Sequence, residues 1–190
     1  MEIQFITHNS SKFEEVSKVA NEYNLSVKWF DHEYDELQED SLETIAHKSC
    51  LGILQVKPEL KTTHFFLEDA GLFIESLNGF PGPYSAYVFK TIGNNGILNL
   101  MKNEKNRNAY FKSAIAYFNR NTIETFTGIT KGSITQSVIG EGGFGFDPIF
   151  VPEDKDQTFA EMTLATKNLY SHRQKSLRIL FTSLTAFVKQ

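Results

Sequence analysis

The sequence is poor in cysteine, with a single one, Cys50, among 190 residues. One cysteine cannot form an internal disulfide or a metal site that needs several thiolates. We therefore expect a reducing, cytoplasmic location. The chain also lacks the run of about 20 apolar residues that a membrane-spanning helix requires. Its first residues lack the pattern of a secretory signal peptide. These absences predict a protein without a membrane partner.

Positive charge is not in excess either. The chain has 19 Lys and Arg against 23 Asp and Glu, a net charge of −4 and a pI near 5.7. This balance argues against a nucleic-acid partner, although converging cations can still bind a polyphosphate. Hydrophobic residues make up 41% of the chain, including 17 Phe, which is enough for a substantial core. We predict one domain over residues 1–190, with two lobes and no internal repeat.

A glycine-rich segment, Gly140-Glu-Gly-Gly-Phe-Gly145, is the most distinctive feature that is present. Its glycines permit positive φ and close approach of the backbone to a ligand. The letters match the dinucleotide motif GxGxxG, but that motif needs a helix opening at its last glycine. A turn and a short strand over residues 149–152 follow instead, so a Rossmann site is not favoured. A plain glycine-rich loop with core phenylalanines remains the alternative.

Around this segment lie groups that suit a nucleotide. Phe144 and Phe146 have few neighbours in the sequence to bury them, and Pro148 should keep Asp147 out of helical geometry. We expect a base on the aromatic ring, the base edge on the fixed carboxylate, and phosphates on cations. The candidate cations follow about twenty residues later and are Lys167, His172 and Arg173.

The amino terminus predicts a strand over residues 3–6, a polar loop and then a helix. Asn9, Ser10 and Ser11 are all good helix N-caps, and the loop directs backbone amides and an ammonium at one point. The spacing differs from that of a Walker loop. Ordinary capping beside a solvated lysine is the alternative. The phosphate-binding candidates are Thr7, His8, Asn9, Ser10, Ser11 and Lys12.

Two carboxylates, Glu68 and Asp69, directly follow the apolar strand predicted over residues 65–67, and the apolar residues 72–74 come after Ala70 and Gly71. Carboxylate oxygens at the end of a strand are typical Mg²⁺ ligands, and an acidic turn is the alternative. The acidic residues between 31 and 43 should be mostly solvated surface.

Two prolines and two glycines predict a rigid loop over residues 79–85.

Periodicity and capping residues predict the remaining elements. Residues 119–121 should form a tight hairpin turn, and Ser171 should cap an amphipathic last helix with an apolar face over residues 177–188. The other predicted strands cover residues 26–30, 109–118, 122–130 and 133–139. The other predicted helices cover residues 42–56 and 91–101, with a short one from Thr163.

Taken together, these motifs resemble those of the inosine triphosphate pyrophosphatase family, also called the Ham1-like family, in its short archaeal form. They occur in the family's order and extend over nearly the whole chain. The matching segments are Thr7-x-Asn9-x-x-Lys12, Glu36, Glu68-Asp69-x-Gly71-Leu72, Asn78 to Ser85, Gly142 to Pro148, and Ser171-His172-Arg173.

The resemblance implies an α/β fold in which a long, curved mixed β-sheet is flanked by helices. It also implies two lobes with a central nucleotide-binding cleft, and a homodimer. The implied activity is Mg²⁺-dependent hydrolysis of ITP, XTP and dITP to the monophosphate and pyrophosphate, which sanitises the nucleotide pool. The open alternatives are a non-catalytic nucleotide-binding or regulatory protein, and a related pyrophosphatase acting on other modified nucleotides.

The resemblance also assigns roles to residues. Residues 7–12 and Ala70 would bind phosphates, while Glu36 and Asp69 would bind the metal, with Asp69 also catalytic. The base would lie against Phe144, Gly145, Phe146 and Asp147, and Lys167, His172 and Arg173 would complete the pocket. Two positions depart from the family pattern: Ala70 replaces the usual Ser or Thr, and Leu51 replaces a lysine for which Lys48 is the nearest substitute.

Overall fold

The computed structural model describes residues 2–34 and 37–187. Strands and helices alternate at first and are then followed by long strands and a helical carboxyl end. The strands are β1 (Glu2–Ile6), β2 (Ser26–Phe30), β3 (Phe65–Ile74), β4 (Asn108–Phe118), β5 (Ile123–Ile134) and β6 (Phe150–Pro152). The helices are α1 (Ser10–Glu22), α2 (Leu42–Val56), α3 (Ser85–Thr91), α4 (Gly93–Leu100), α5 (Leu164–Tyr170) and α6 (His172–Phe187).

The strands of this part of the chain form one mixed sheet in the order β2-β1-β3-β4-β5-β6. β1 lies parallel to both β2 and β3, whereas β5 and β6 are antiparallel. A parallel pair needs a crossover connection, and α1 provides it between β1 and β2. The predicted α/β class with a mixed sheet is therefore confirmed.

Several elements begin and end where local chemistry predicts. The Ser41 side chain accepts a hydrogen bond from the Thr44 N–H at 3.2 Å, and α2 has the predicted bounds. Thr163 caps α5 in the same way. Asn119 accepts hydrogen bonds from the N–H groups of Asn121 and Thr122, which closes the predicted turn between β4 and β5. Short-range hydrogen bonds thus account for these boundaries.

Four predictions of secondary structure are wrong. The acidic pair Glu68-Asp69 lies inside β3, so neither a break nor an acidic turn occurs there. β5 continues to Ile134, and no strand covers residues 135–139. The predicted helix over residues 91–101 is interrupted at Gly93, which has φ +61° and starts a separate helix. Asp147 opens a 3₁₀ turn, Asp147–Ile149, because Pro148 fits the first turn of a helix.

Contacts divide the chain into two compact units. Unit 1 consists of the described residues in 2–69, 113–128 and 173–187, and unit 2 of residues 70–112 and 129–172. In unit 1, the apolar faces of α1 and α6 pack on β1, β3 and β4. The fully or almost fully buried residues of this core include Phe5, Val16, Val19, Phe66, Ile115, Leu177 and Phe181.

Unit 2 has its own core, rich in aromatic side chains. The Phe111 and Phe150 rings meet edge to face, with centroids 4.7 Å apart, and Phe159 packs against both. Ile97 and Met101 close this core from α4 and the turn after it. No helix in the described part of the chain is long and apolar enough to cross a membrane.

Gly71 in β3 shows how closely the segments of unit 2 approach one another. A Cβ atom at this position would lie 2.3 Å from the carbonyl oxygen of Gly82. Ser85 connects the loop that contains Gly82 to β3. Its hydroxyl accepts a hydrogen bond from the Leu72 N–H at 2.8 Å and donates one to the Gly82 carbonyl at 2.7 Å. The loop predicted to be rigid is thus held against the strand that carries the acidic pair.

Gly71→Ala should lower the free energy of unfolding by about 1–3 kcal/mol, because the added methyl group must displace a backbone oxygen. Gly52→Ala provides the matched control, since Gly52 lies within α2 and an added Cβ would meet no atom within 4 Å. That change should raise the free energy of unfolding by about 0.5–1 kcal/mol. Urea denaturation of both variants measures the two effects, and equal effects would contradict the packing described.

Candidate functional site

The loop between β1 and α1 is held in shape by its own side chains. Thr7 accepts a hydrogen bond from the Asn9 N–H at 3.1 Å, and Asn9 caps α1 by accepting from the Lys12 N–H at 3.1 Å. The indole of Trp29 donates to the Thr7 carbonyl at 2.7 Å. The first turn of α1 carries no acidic residue, so the partial positive charge of the helix terminus faces no carboxylate from that turn.

His8 lies exposed in the same loop and adds a titratable charge. Its Nδ1 is 2.7 Å from a carboxylate oxygen of Asp31. That hydrogen bond and the charge of Asp31 raise the pKa of His8 above its ordinary value of 6.5. The imidazolium is therefore retained to a higher pH than in a free histidine. The loop combines a helix terminus, Lys12 and this imidazolium.

Behind the loop lies a buried network of two cations and two carboxylates, all within unit 1. The Lys12 ammonium is 2.9 Å from a carboxylate oxygen of Glu68 and also donates to the Glu68 carbonyl at 3.0 Å. The Arg173 Nε is 3.2 Å from the same carboxylate oxygen, and the guanidinium also pairs with Glu15. Glu15, Glu68 and Arg173 are 3%, 1% and 2% exposed, so this charge is shielded from solvent.

The electrostatics of this network favour the charged arginine. Burial lowers the pKa of Arg173, but the carboxylates of Glu68 and Glu15 outweigh this and hold it above its usual value. The carboxylate of Glu68 is paired with both Lys12 and Arg173, so it is not a candidate metal ligand. The guanidinium predicted to read a base contacts these two carboxylates.

Sequence reasoning missed Glu15. A signal was available, because Glu15 follows Lys12 by three residues and lies beside Val16 and Val19 on the buried face of α1. A carboxylate on an apolar helix face implies a buried partner.

Asp69 and Ala70 follow Glu68 along β3. Successive side chains of a strand point to opposite faces, so Asp69 points away from the network that holds Glu68. Asp69 is partly buried and one of its carboxylate oxygens is inaccessible to solvent. Ala70 brings only a methyl group.

Glu36, the other predicted metal ligand, lies outside the described residues. Within residues 2–34 and 37–187, no three His, Cys, Asp or Glu side chains cluster as a metal site.

The glycine-rich loop forms a second set of candidate residues, within unit 2. The Asp147 carboxylate accepts the Phe144 N–H at 2.8 Å and the Lys167 ammonium at 2.7 Å. The same ammonium lies 4.7 Å from the centroid of the Phe144 ring. A Cβ atom at Gly143, whose φ is +69°, would lie 2.2 Å from the carboxylate, so only glycine permits this contact. Asp147 and Lys167 are each 3% exposed.

The two phenylalanines of this loop differ. Phe146 is 3% exposed and belongs to the core of unit 2, where residues distant in the sequence bury it. Phe144 is only partly buried and keeps part of its ring accessible. It is therefore the better candidate for stacking on a base. The His172 ring, also in unit 2, stacks on Phe111 with centroids 4.7 Å apart and is 4% exposed.

Lys48, considered as a substitute for the lysine replaced by Leu51, pairs with Glu39. Leu51 itself is 44% exposed. Among the described candidate residues, unit 1 contributes the positive charges of Lys12, Arg173 and the His8 imidazolium, and unit 2 contributes that of Lys167.

The sequence matches known proteins along almost its full length. The profile of the Ham1 family matches residues 3–183. A dITP/XTP pyrophosphatase of Thermococcus kodakarensis is 48% identical over 178 residues, which cover 94% of each chain. One from Pyrococcus horikoshii is 44% identical over 189 residues, which cover 100% of each.

Solved structures agree with the sequence matches. A Ham1 protein of Coxiella burnetii superposes with a TM-score of 0.84 at 26% identity, covering 98% of this chain and 99% of its own. The Ham1 protein of Staphylococcus aureus gives a TM-score of 0.81 at 27% identity with the same coverage. These matches confirm the family predicted from the motifs.

Arg173→Leu should lower the free energy of unfolding by about 3–5 kcal/mol, because it leaves Glu15 and Glu68 buried without their guanidinium. Arg178→Leu is the matched control on the same helix. Arg178 pairs with Glu22 at 2.6 Å, and both side chains are more than 40% exposed. Its loss should cost less than about 1 kcal/mol. Urea denaturation of both variants provides the comparison, and similar losses would show that the buried network contributes little to stability.

Proposed function

Because the chain belongs to the Ham1 family, we propose that it is a nucleoside-triphosphate pyrophosphatase acting on non-standard purine nucleotides such as dITP, ITP and XTP. The products are the monophosphate and pyrophosphate. One observation carries the proposal: relatives aligned along the whole chain at 44–48% identity are named dITP/XTP pyrophosphatases. A non-catalytic nucleotide-binding protein has no observation in its favour. Cytoplasmic location, nucleotide-pool sanitation and a homodimer remain predictions.

The proposed phosphate-binding set lies in unit 1. Residues 7–12 supply a capped helix terminus, the Lys12 ammonium and the raised-pKa imidazole of His8, all suited to an anion. Glu68, in β3, forms a salt bridge with Lys12, and Arg173 forms a second salt bridge with Glu68. We therefore propose that Arg173 positions Lys12 rather than contacting the base. Ala70 offers no hydroxyl to the phosphates, so one neutral hydrogen bond of about 0.5–1.5 kcal/mol is lost relative to Ser or Thr.

A divalent cation, Mg²⁺, is the proposed cofactor. Its proposed ligands are Glu36 and Asp69, whose carboxylates are the hard oxygen donors that Mg²⁺ prefers. When bound, it would neutralise charge on the phosphates and lower the pKa of bound water. Asp69, on the opposite face of β3 from Glu68, orients the water that attacks the α-phosphorus. A carboxylate beside a dication is a weak proton acceptor, so we assign Asp69 orientation rather than full deprotonation of that water.

The proposed base-binding set lies in unit 2. Phe144 stacks on the purine, while Asp147 and Lys167 fix the loop that carries this ring. Hypoxanthine and xanthine present a 6-oxo group, which accepts a hydrogen bond, whereas adenine presents a 6-amino group. A donor at His172 or a peptide N–H near Phe146 therefore pairs with the first and opposes the second, and a mispaired buried group gives strong discrimination.

Incubation with ITP, XTP, dITP, GTP, ATP and TTP plus Mg²⁺ tests the proposed activity. We expect turnover of the first three and release of pyrophosphate. Asp69→Asn should lower kcat by at least about 10²-fold, because the attacking water loses the carboxylate that orients it, while the monophosphate product still binds. Asp156→Asn, an exposed change of the same kind, should match the wild type. Orthophosphate as the sole product, or full activity of Asp69→Asn, would refute the assignment.

Phe144→Ala should raise KM for every purine substrate by about 5- to 150-fold, since stacking on a base is worth about 1–3 kcal/mol. Phe144→Tyr keeps the ring and should stay near the wild-type value. Inhibition by inorganic pyrophosphate, which has no base, should be the same in both variants. Steady-state kinetics give all three values. An unchanged KM for Phe144→Ala would remove the stacking role while leaving the activity itself in place.

A further inference from the structure

The first turn of α4 contacts the glycine-rich loop through a side chain that neither the motifs nor the family resemblance singled out. The amide nitrogen of Asn94 donates a hydrogen bond to the carbonyl oxygen of Gly145, at 3.2 Å. Gly145 follows Phe144, the proposed stacking ring. A residue of α4 thus holds the peptide that joins Gly145 to Phe146, one residue beyond that ring.

The neighbouring helix α3 holds the next residue of the loop. The Phe89 ring meets the Phe146 ring edge to face, with centroids 5.4 Å apart and an angle of 87°. Gly145 itself has φ +63°, and a Cβ at this position would meet no atom within 4 Å. Gly145 has no side chain of its own to pack, so the hydrogen bond from Asn94 adds to the packing of Phe146 in fixing the peptide between these two residues.

The oxygen of the Asn94 amide limits what this side chain adds to stability. Its oxygen is buried and has no hydrogen-bond partner among the described residues. A buried acceptor without a partner lowers stability, which offsets the gain from the bond to Gly145. The orientation of the amide is nonetheless fixed, since the reverse one would set two oxygens against each other. The side chain therefore contributes little net stability while fixing one peptide of the loop.

We propose that Asn94 is a positioning residue for purine binding. By holding the Gly145 carbonyl, it keeps the Phe144 ring in register with the Asp147–Lys167 pair. This inference rests on the proposed base-binding role of the loop. Asn94 acts through the loop that carries the proposed base-binding ring, so its loss weakens substrate binding and leaves the chemical step intact.

The test compares Asn94→Leu and Asn94→Asp with Asn95→Ala, a change at the exposed neighbour on the same helix. Asn94→Leu removes the donor, and Asn94→Asp replaces it with a group that repels the carbonyl. For XTP and ITP we expect KM to rise about three- to tenfold in Asn94→Leu and at least as much in Asn94→Asp. We expect kcat within about twofold of the wild type, since the lost interaction is not specific to the transition state. Asn95→Ala should match the wild type.

Two further readouts separate positioning from structure. Inhibition by inorganic pyrophosphate should be unchanged in Asn94→Leu, and its urea unfolding midpoint should stay close to that of the wild type. An unchanged KM, or a loss of stability accompanied by parallel losses in kcat and pyrophosphate binding, would overturn the inference. If Phe144→Ala also leaves KM unchanged, the proposed base site itself fails. If Phe144→Ala raises KM and Asn94→Leu does not, only the role of Asn94 is lost.

Discussion

The buried salt bridges among Lys12, Glu68, Arg173 and Glu15 are the constraint on which unit 1 depends. They connect the amino-terminal helix, the middle of β3 and the start of the last helix. Isolated charges are very costly away from water, so each of these groups requires its neighbours. The network also presents the Lys12 ammonium beside a capped helix terminus. Stability and the proposed phosphate binding therefore draw on the same four side chains.

Asp147 has the corresponding role in unit 2. Its carboxylate accepts hydrogen bonds from the Phe144 N–H and from the Lys167 ammonium. That ammonium in turn lies over the Phe144 ring. The glycines serve this contact, because Gly143 leaves the space that the carboxylate fills. The loop is thus closely specified although it contains little regular secondary structure. The sequence of the loop matches a dinucleotide-binding motif. In the structure, however, a backbone N–H of the loop donates a hydrogen bond to the Asp147 carboxylate.

Locally encoded features were predictable from the sequence. The predicted bounds of α2 and the predicted start of α5 coincide with the Ser41 and Thr163 caps, and Asn119 closes the predicted hairpin, because each signal lies within a few residues of its effect. The family and the α/β class followed from separated motifs. Features that depend on distant residues were not predictable. The partner of Glu15 lies 158 positions away, and Phe146 is buried by α3 and the core of unit 2. The break before α4 depends on one glycine whose φ no periodicity reveals.

The order of these segments along the chain has a consequence for synthesis. Unit 2 is complete at residue 172, whereas unit 1 still lacks the helix that begins there. Until that last segment leaves the ribosome, Glu15 and Glu68 have no guanidinium, and the apolar face of α1 has no α6 to cover it. A nascent chain in this state exposes apolar surface of the kind that attracts chaperones. Truncation before residue 173 would therefore leave unit 1 without Arg173 and without the α6 side chains of its core.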